Sequence, residues 1–254
     1  MSNNKLKKDN KSKYKILAFI ILVCILIISG IIISMLFKDY PEYQEVAETQ
    51  EKVIDEVVED VSDDNEDISI EWNKLKSINE DVIAWIVIPD TNIDYPIVQG
   101  DNDNQYLHRS IYGKYSKGGT IFVEANNIVP FEDVNTIIYG HNLMNNKMFS
   151  DLRRYTNKKY AESHNIVYIY LPNGEKREYK VVSFHKVKAD DVNIYNPYVE
   201  NVSDYKEYMM KNNKISSEYQ ERTGDKVITL STCTNGNDNE RYVLHAVYSS
   251  EQEG

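Results

Sequence analysis

The sequence predicts a mainly β domain, closed as a β-barrel with a few inserted helices and a helix at its N-terminal end, carried behind one transmembrane helix. Three observations predict it. Runs rich in β-branched and aromatic residues recur from Val82 onward, VIAWIVI, IDYPIV, TIFV, TIIY, NIVYIY and REYKVVSFHKV, separated by turn signals such as Pro89-Asp90, Gly118-Gly119 and Pro172-Asn173-Gly174. Many short strands joined by tight turns, with helices interspersed, fit a barrel better than a layered α/β fold. Ahead of them lies a long apolar run, and the composition, 41% hydrophobic and 27% charged over 254 residues, is that of an ordinary globular chain.

Taken in order, residues 1–15 form a basic tail with six lysines against Asp9. Ile16 to Phe37 runs 22 residues without a charge, roughly 33 Å as a helix and enough to cross a bilayer core. Lysines before the run and acids after it predict an N-terminus in the cytoplasm and the remainder outside the cell, at the end of a single-pass anchor in the cell membrane. The run is too long for a cleaved signal peptide and no A-x-A-like site follows it. Residues 38–67 read as an acidic stalk: Asp39 to Asp67 carries thirteen acids and one lysine, a composition that favours a solvated, self-repelling spacer. Val46, Val53, Val57 and Val61 leave room in it for a weak helix. The folded domain is expected over residues 68–254, beginning with a short amphipathic helix on Trp72, Leu75 and Ile78. Two further helical patches are expected, one on Met148, Phe149, Leu152 and Tyr155, the other on Tyr205, Tyr208 and Met209 behind an N-cap at Ser203.

Charge and cysteine content exclude some functions. The net charge is −11, and the first 38 residues hold +6 of their own, so the rest is strongly acidic. A polyanion binder needs Lys and Arg over phosphates, so nucleic acid is not expected as a partner. The two cysteines, Cys24 in the apolar run and Cys233, offer no disulfide framework, and no CxxC or Cys/His spacing suggests zinc, so neither a metal nor a cofactor is expected.

The chemistry gathers between Lys226 and Tyr248, KVITLSTCTNGNDNERYVLHAVY. With a period of two, Val227, Thr229, Ser231 and Cys233 share one strand face, and Arg241, Val243, His245 and Val247 share another. If residues 234–240 join antiparallel neighbours, the thiol and the guanidinium meet at one rim. A positive charge there favours the thiolate, and its N–H groups suit an oxyanion. Strand-end cysteines are commonly inert packing residues. A lone unpaired thiol in an exported domain points instead toward use. Of the five histidines, His141 in TIIYGHN follows a strand and a glycine on a loop, where it could serve as proton acceptor and donor; His108 lies near a turn, His164 precedes a strand, and packing explains His185 and His245.

TLSTC followed by Arg241, together with IIYGHN upstream, resembles the sortase family of membrane-anchored cysteine transpeptidases of Gram-positive cell surfaces. DVIAWIVIPDTNIDYPIVQ, DNDNQYLHR and GGTIFVEANN, and a helical segment between the His185 strand and the Cys233 strand, resemble its class B branch. The resemblance implies that Cys233 attacks the carbonyl of a Thr in the C-terminal sorting motif of a secreted protein, that His141 carries protons, and that Arg241 holds the oxyanion or orients substrate. It implies two partners, sorting-motif-bearing surface proteins and an amine of the peptidoglycan peptide. Ser231, Asn104 and Leu107 resemble substrate-groove positions, although ordinary strand and loop packing explains them equally. Two other readings of the residues remain: a thiol peptidase that uses water, and a membrane-tethered binding module in which Cys233 is structural.

Overall fold

The computed structural model describes residues 2–36, 40–60, 68–215, 219–234 and 237–248. Its contacts divide the chain into a unit ending at Glu42 and a unit beginning at Tyr43. The first unit contains helix α1, Ser2–Leu36, whose apolar stretch reaches a mean hydropathy of 3.4 and is long enough to cross a membrane. No core covers this stretch, as expected of a surface whose solvent is lipid.

The second unit begins earlier than the sequence suggests. Helix α2, Tyr40–Val57, occupies most of the expected stalk and buries Val46, Gln50, Val53 and Val57. These recur at i, i+4, i+7 and i+11, one helical face, while the acids occupy the other. The spacer reading of these residues is therefore corrected: composition concealed a stripe that packs Val46 into the main core and Val53 and Val57 into a second cluster. Val61 lies outside the described residues. A small ladder of β1, Val58–Asp60, and β2, Ile68–Ile70, leads to α3, Trp72–Ile78, where the sequence placed a helix.

The barrel strands are β3, Val82–Val87, β4, Asp94–Val98, β5, Ile121–Val123, β6, Asn135–Tyr139, β7, Ile166–Tyr170, β8, Lys176–Lys188, β9, Lys226–Thr234, and β10, Asn237–Tyr248. They close in the order β10-β8-β7-β3-β4-β5-β6-β9, as the fold class predicted. Pairs β4–β5 and β6–β9 are parallel and the others antiparallel. Ala84, Ile86, Ile97, Ile138, Ile228, Leu230, Leu244 and Ala246 fill the main core. Alternate residues face outward, and there α5, Val202–Met210, covers Val227 and Val247 with Val202, Tyr205 and Met209.

Two details of the helices differ from the sequence reading. The patch on Met148 to Tyr155 buries all four expected side chains but coils as a 3₁₀ helix over Ser150–Thr156, which starts after Met148, held at a positive φ of 58°. α4, Lys158–Ser163, follows it, capped by Asn157. Helix α5 is capped by Asn201, whose side chain accepts from Asp204 N, rather than by Ser203. Asn caps as well as Ser does, and starting there brings Val202 into the core.

Candidate active site

Strand register assembles the site. Antiparallel pairing sets Arg241 directly opposite Cys233, Val243 opposite Ser231 and His245 opposite Thr229. Parallel pairing sets Tyr139 beside Ser231, and Gly140 N continues the ladder to Ser231 O at 3.1 Å. Counting on from that pair brings residue 141 level with residue 233. Gly140 is required here: a Cβ would lie 2.7 Å from the Phe149 ring and overlap Ile121 Cδ1.

The loop that begins at His141 is closed on itself. Phe149 N donates to His141 O at 2.9 Å, and Leu143 N donates to Ser150 Oγ at 2.6 Å. It is also tied to the cysteine strand, since Asn142 Nδ2 donates to Cys233 O at 2.9 Å. Cys233, His141 and Arg241 are each half-buried, partly withdrawn from water yet reachable. His141 Nε2 lies 2.7 Å from Leu107 O. A carbonyl only accepts, so Nε2 carries the hydrogen and Nδ1 is the basic nitrogen. Burial holds the His141 imidazole below the usual histidine range, with smaller contributions from His108 and Arg241, while the bond to Leu107 opposes them.

Of the substrate-groove candidates, Ser231 lies on the Cys233 face, buried, with its Oγ 2.8 Å from Tyr195 Oη. Leu107 meets His141 through its backbone carbonyl, while its side chain packs against the second core cluster. Asn104 stands apart, exposed on a turn with its N–H donating to Asn102 Oδ1 at 3.1 Å. Among the described residues, no group of three or more His, Cys, Asp or Glu side chains could hold a metal ion.

Two neighbours, Asn142 and Tyr195, escaped the sequence reading, which places a third, His108, only near a turn. Asn142 adjoins His141, and the N of GHN could have been weighed as a tether. Tyr195 stacks on Tyr139 with ring centroids 6.0 Å apart, and burial pushes its hydroxyl up to about 12. His108 stacks on His141, centroids 5.4 Å apart. No local pattern marks Tyr195, which arrives by tertiary contact.

A half-buried thiol, a neutral imidazole and a guanidinium on one rim can form and break an acyl–sulfur bond. The family model described as the sortase domain matches residues 86–249. Sortase B of Listeria monocytogenes serovar 1/2a is 33% identical over 180 residues, 70% of this chain and 72% of that protein. A crystal structure of Clostridium perfringens sortase B aligns with a TM-score of 0.65 at 29% identity, covering 71% of this chain and 100% of that one. A Staphylococcus aureus sortase B–substrate complex aligns with a TM-score of 0.63 at 28% identity, covering 70% and 83%.

Proposed function

The chain belongs to the sortase family, class B, and is a cysteine transpeptidase; on that premise we propose how its residues divide the reaction. Cys233 is the nucleophile. Its Sγ attacks the carbonyl carbon at the scissile bond of a sorting motif while its proton passes to His141 Nδ1. The oxyanion that forms is held by Arg241. His141 returns the proton to the departing amine, the C–N bond breaks, and a thioester remains. An amine of the peptidoglycan peptide then attacks the thioester, His141 takes the proton from it, and the thiol leaves as product forms. Ser231, buttressed by Tyr195, and the segment holding Asn104 and Leu107 flank the acyl chain.

The observation that carries this reading is the pairing of Cys233 with Arg241 across β9 and β10, joined by the Asn142 tether that brings the His141 loop to the same strand end. The relative crystallised with substrate supports a sorting-motif peptide as the first substrate. The basic tail, the apolar part of α1 and the acidic remainder support an N-terminus in the cytoplasm and a catalytic domain outside the cell.

The test uses the full chain in detergent with a panel of sorting-motif peptides. A thioester at Cys233 should be seen by mass spectrometry, and added cell-wall amine should divert product from acid to amide. Cys233→Ala should remove both; cleavage that survives it would sink the reading. If amine leaves the product unchanged, the enzyme is a thiol peptidase that uses water.

A further inference from the structure

The geometry points to His108 as a positioning residue for His141, fixing its ring plane by stacking and opposing its protonated form with a second positive charge. Two contacts on different sides of the His141 ring carry this. At the edge, the Leu107 carbonyl takes the Nε2 hydrogen at 2.7 Å. Over the face, the His108 ring lies 5.4 Å away and 27° from parallel. They come from adjacent residues, so one short segment sets both the tautomer and the plane of the imidazole.

That segment is itself held. Thr120 N donates to Tyr106 O and Ser116 N to His108 O, each at 3.1 Å. Gly119, at a φ of +59°, lies so close under the Tyr106 and Leu107 carbonyls that a Cβ would overlap them. His108 is exposed, with the Tyr115 ring 6.2 Å away. The charged groups acting on His141 are His108 from this segment and Arg241 from β10, and both disfavour the imidazolium. With rings stacked instead of joined by a hydrogen bond, His108 acts through contact and field and does not relay the proton.

The inference rests on His141 as the proton carrier, so His141→Ala is measured beside the His108 variants in the full chain. The readout is the pH profile of kcat/KM for peptide cleavage. His108→Phe keeps a flat ring without charge, and the limb governed by His141 should move up by about half a unit, the effect of one charge at this distance in water-like surroundings. His108→Lys keeps a charge and should leave that limb at or below its original position. His108→Ala should move the limb as Phe does and lower the plateau about tenfold further, because the stack is gone. A limb that stays in place in both Phe and Lys variants overturns the charge role, and equal plateaus for Phe and Ala overturn the stacking role. Full activity in His141→Ala would remove the premise instead, whatever the His108 variants do.

Discussion

Arg241 faces Cys233 across the strand pair, half-buried, with Nη1 donating to the Glu240 carbonyl at 3.0 Å. A guanidinium fixed in this way offers a planar fork, whereas an ammonium is a flexible point charge. Arg241→Lys should therefore lose about 10²- to 10³-fold in kcat/KM, the scale of one oxyanion donor. Steady-state cleavage of the peptide checks this, and near-native turnover would mean that positive charge alone suffices. Cys233 and Arg241 were legible in the sequence because strand parity and one short hairpin fix their relation. His141 was legible because a glycine-led loop follows its strand. Tyr195 was not, since it reaches Ser231 across 36 residues through a hydroxyl bond that no periodicity encodes. Within the TLSTC strand itself, the faces came out as the alternation predicts, with Ile228 and Leu230 inside the barrel and Thr229 and Ser231 under the outer cover.

Among the elements, α2 departs most from the sequence reading, and its contacts reach the loop that begins at His141. Asn145 Nδ2 donates to Tyr43 O at 2.7 Å, and Val46 and Leu143 crowd the same glycine, Gly118. Gln50 continues the brace: its Nε2 donates to Asp94 O at 3.1 Å, its Oε1 accepts from Tyr95 Oη at 2.9 Å, and Met148 N donates to that hydroxyl at 2.8 Å. The helix thus supports the loop from residue 143 to residue 148, downstream of His141. Val46→Asp places an unpaired carboxylate in the core and should cost roughly 2–3 kcal/mol, or about 5–10 °C in Tm for a domain of this size. A chain begun at Ile68 should melt lower than one begun at Tyr40; equal melting temperatures would return α2 to the role of a spacer. The helix was hard to read because its polar face supplies the acids that dominate composition, while its buried face is only four residues wide. The barrel strands were easier, since each carries its own alternation between turn signals.

At the scale of the whole molecule, the outer face of β9 and β10 continues from the strand end that holds Cys233 and Arg241 into a buried polar seam beneath α5. His245 Nδ1 lies 3.0 Å from Thr229 Oγ1, which donates to Asn135 Oδ1 at 2.7 Å, and Tyr205 Oη donates to Ile194 O at 2.8 Å. His185 stands beside His245, ring centroids 5.4 Å apart, with Ser183 Oγ 3.2 Å from its Nδ1. Burial pulls His185 down to about 4, with Asp191 opposing and Lys214 assisting, and holds His245 well below the usual histidine range, with His185 adding repulsion. Both are therefore neutral in the folded protein at neutral pH. The unfolded chain takes up protons as pH falls through about 6.5, whereas the folded chain does not until about 4 for His185, and burial likewise holds His245 well below the usual histidine range. Stability is thus fully present above about 6.5 and is lost on acidification through that window, with a slope of up to two protons, about 2.7 kcal/mol per pH unit. Urea unfolding between pH 7.5 and 4.5 reads this slope, and His185→Gln should remove about one proton of it. An unchanged slope in that variant would show that the seam accommodates a charged His185. Because Asn135 Nδ2 also donates to Asn196 O at 3.2 Å, next to Tyr195, charging the seam should loosen the cover over Ser231 before the barrel opens. Peptide cleavage should then fall at a higher pH than the unfolding midpoint, and a fall that merely tracks unfolding would confine the seam to a structural role.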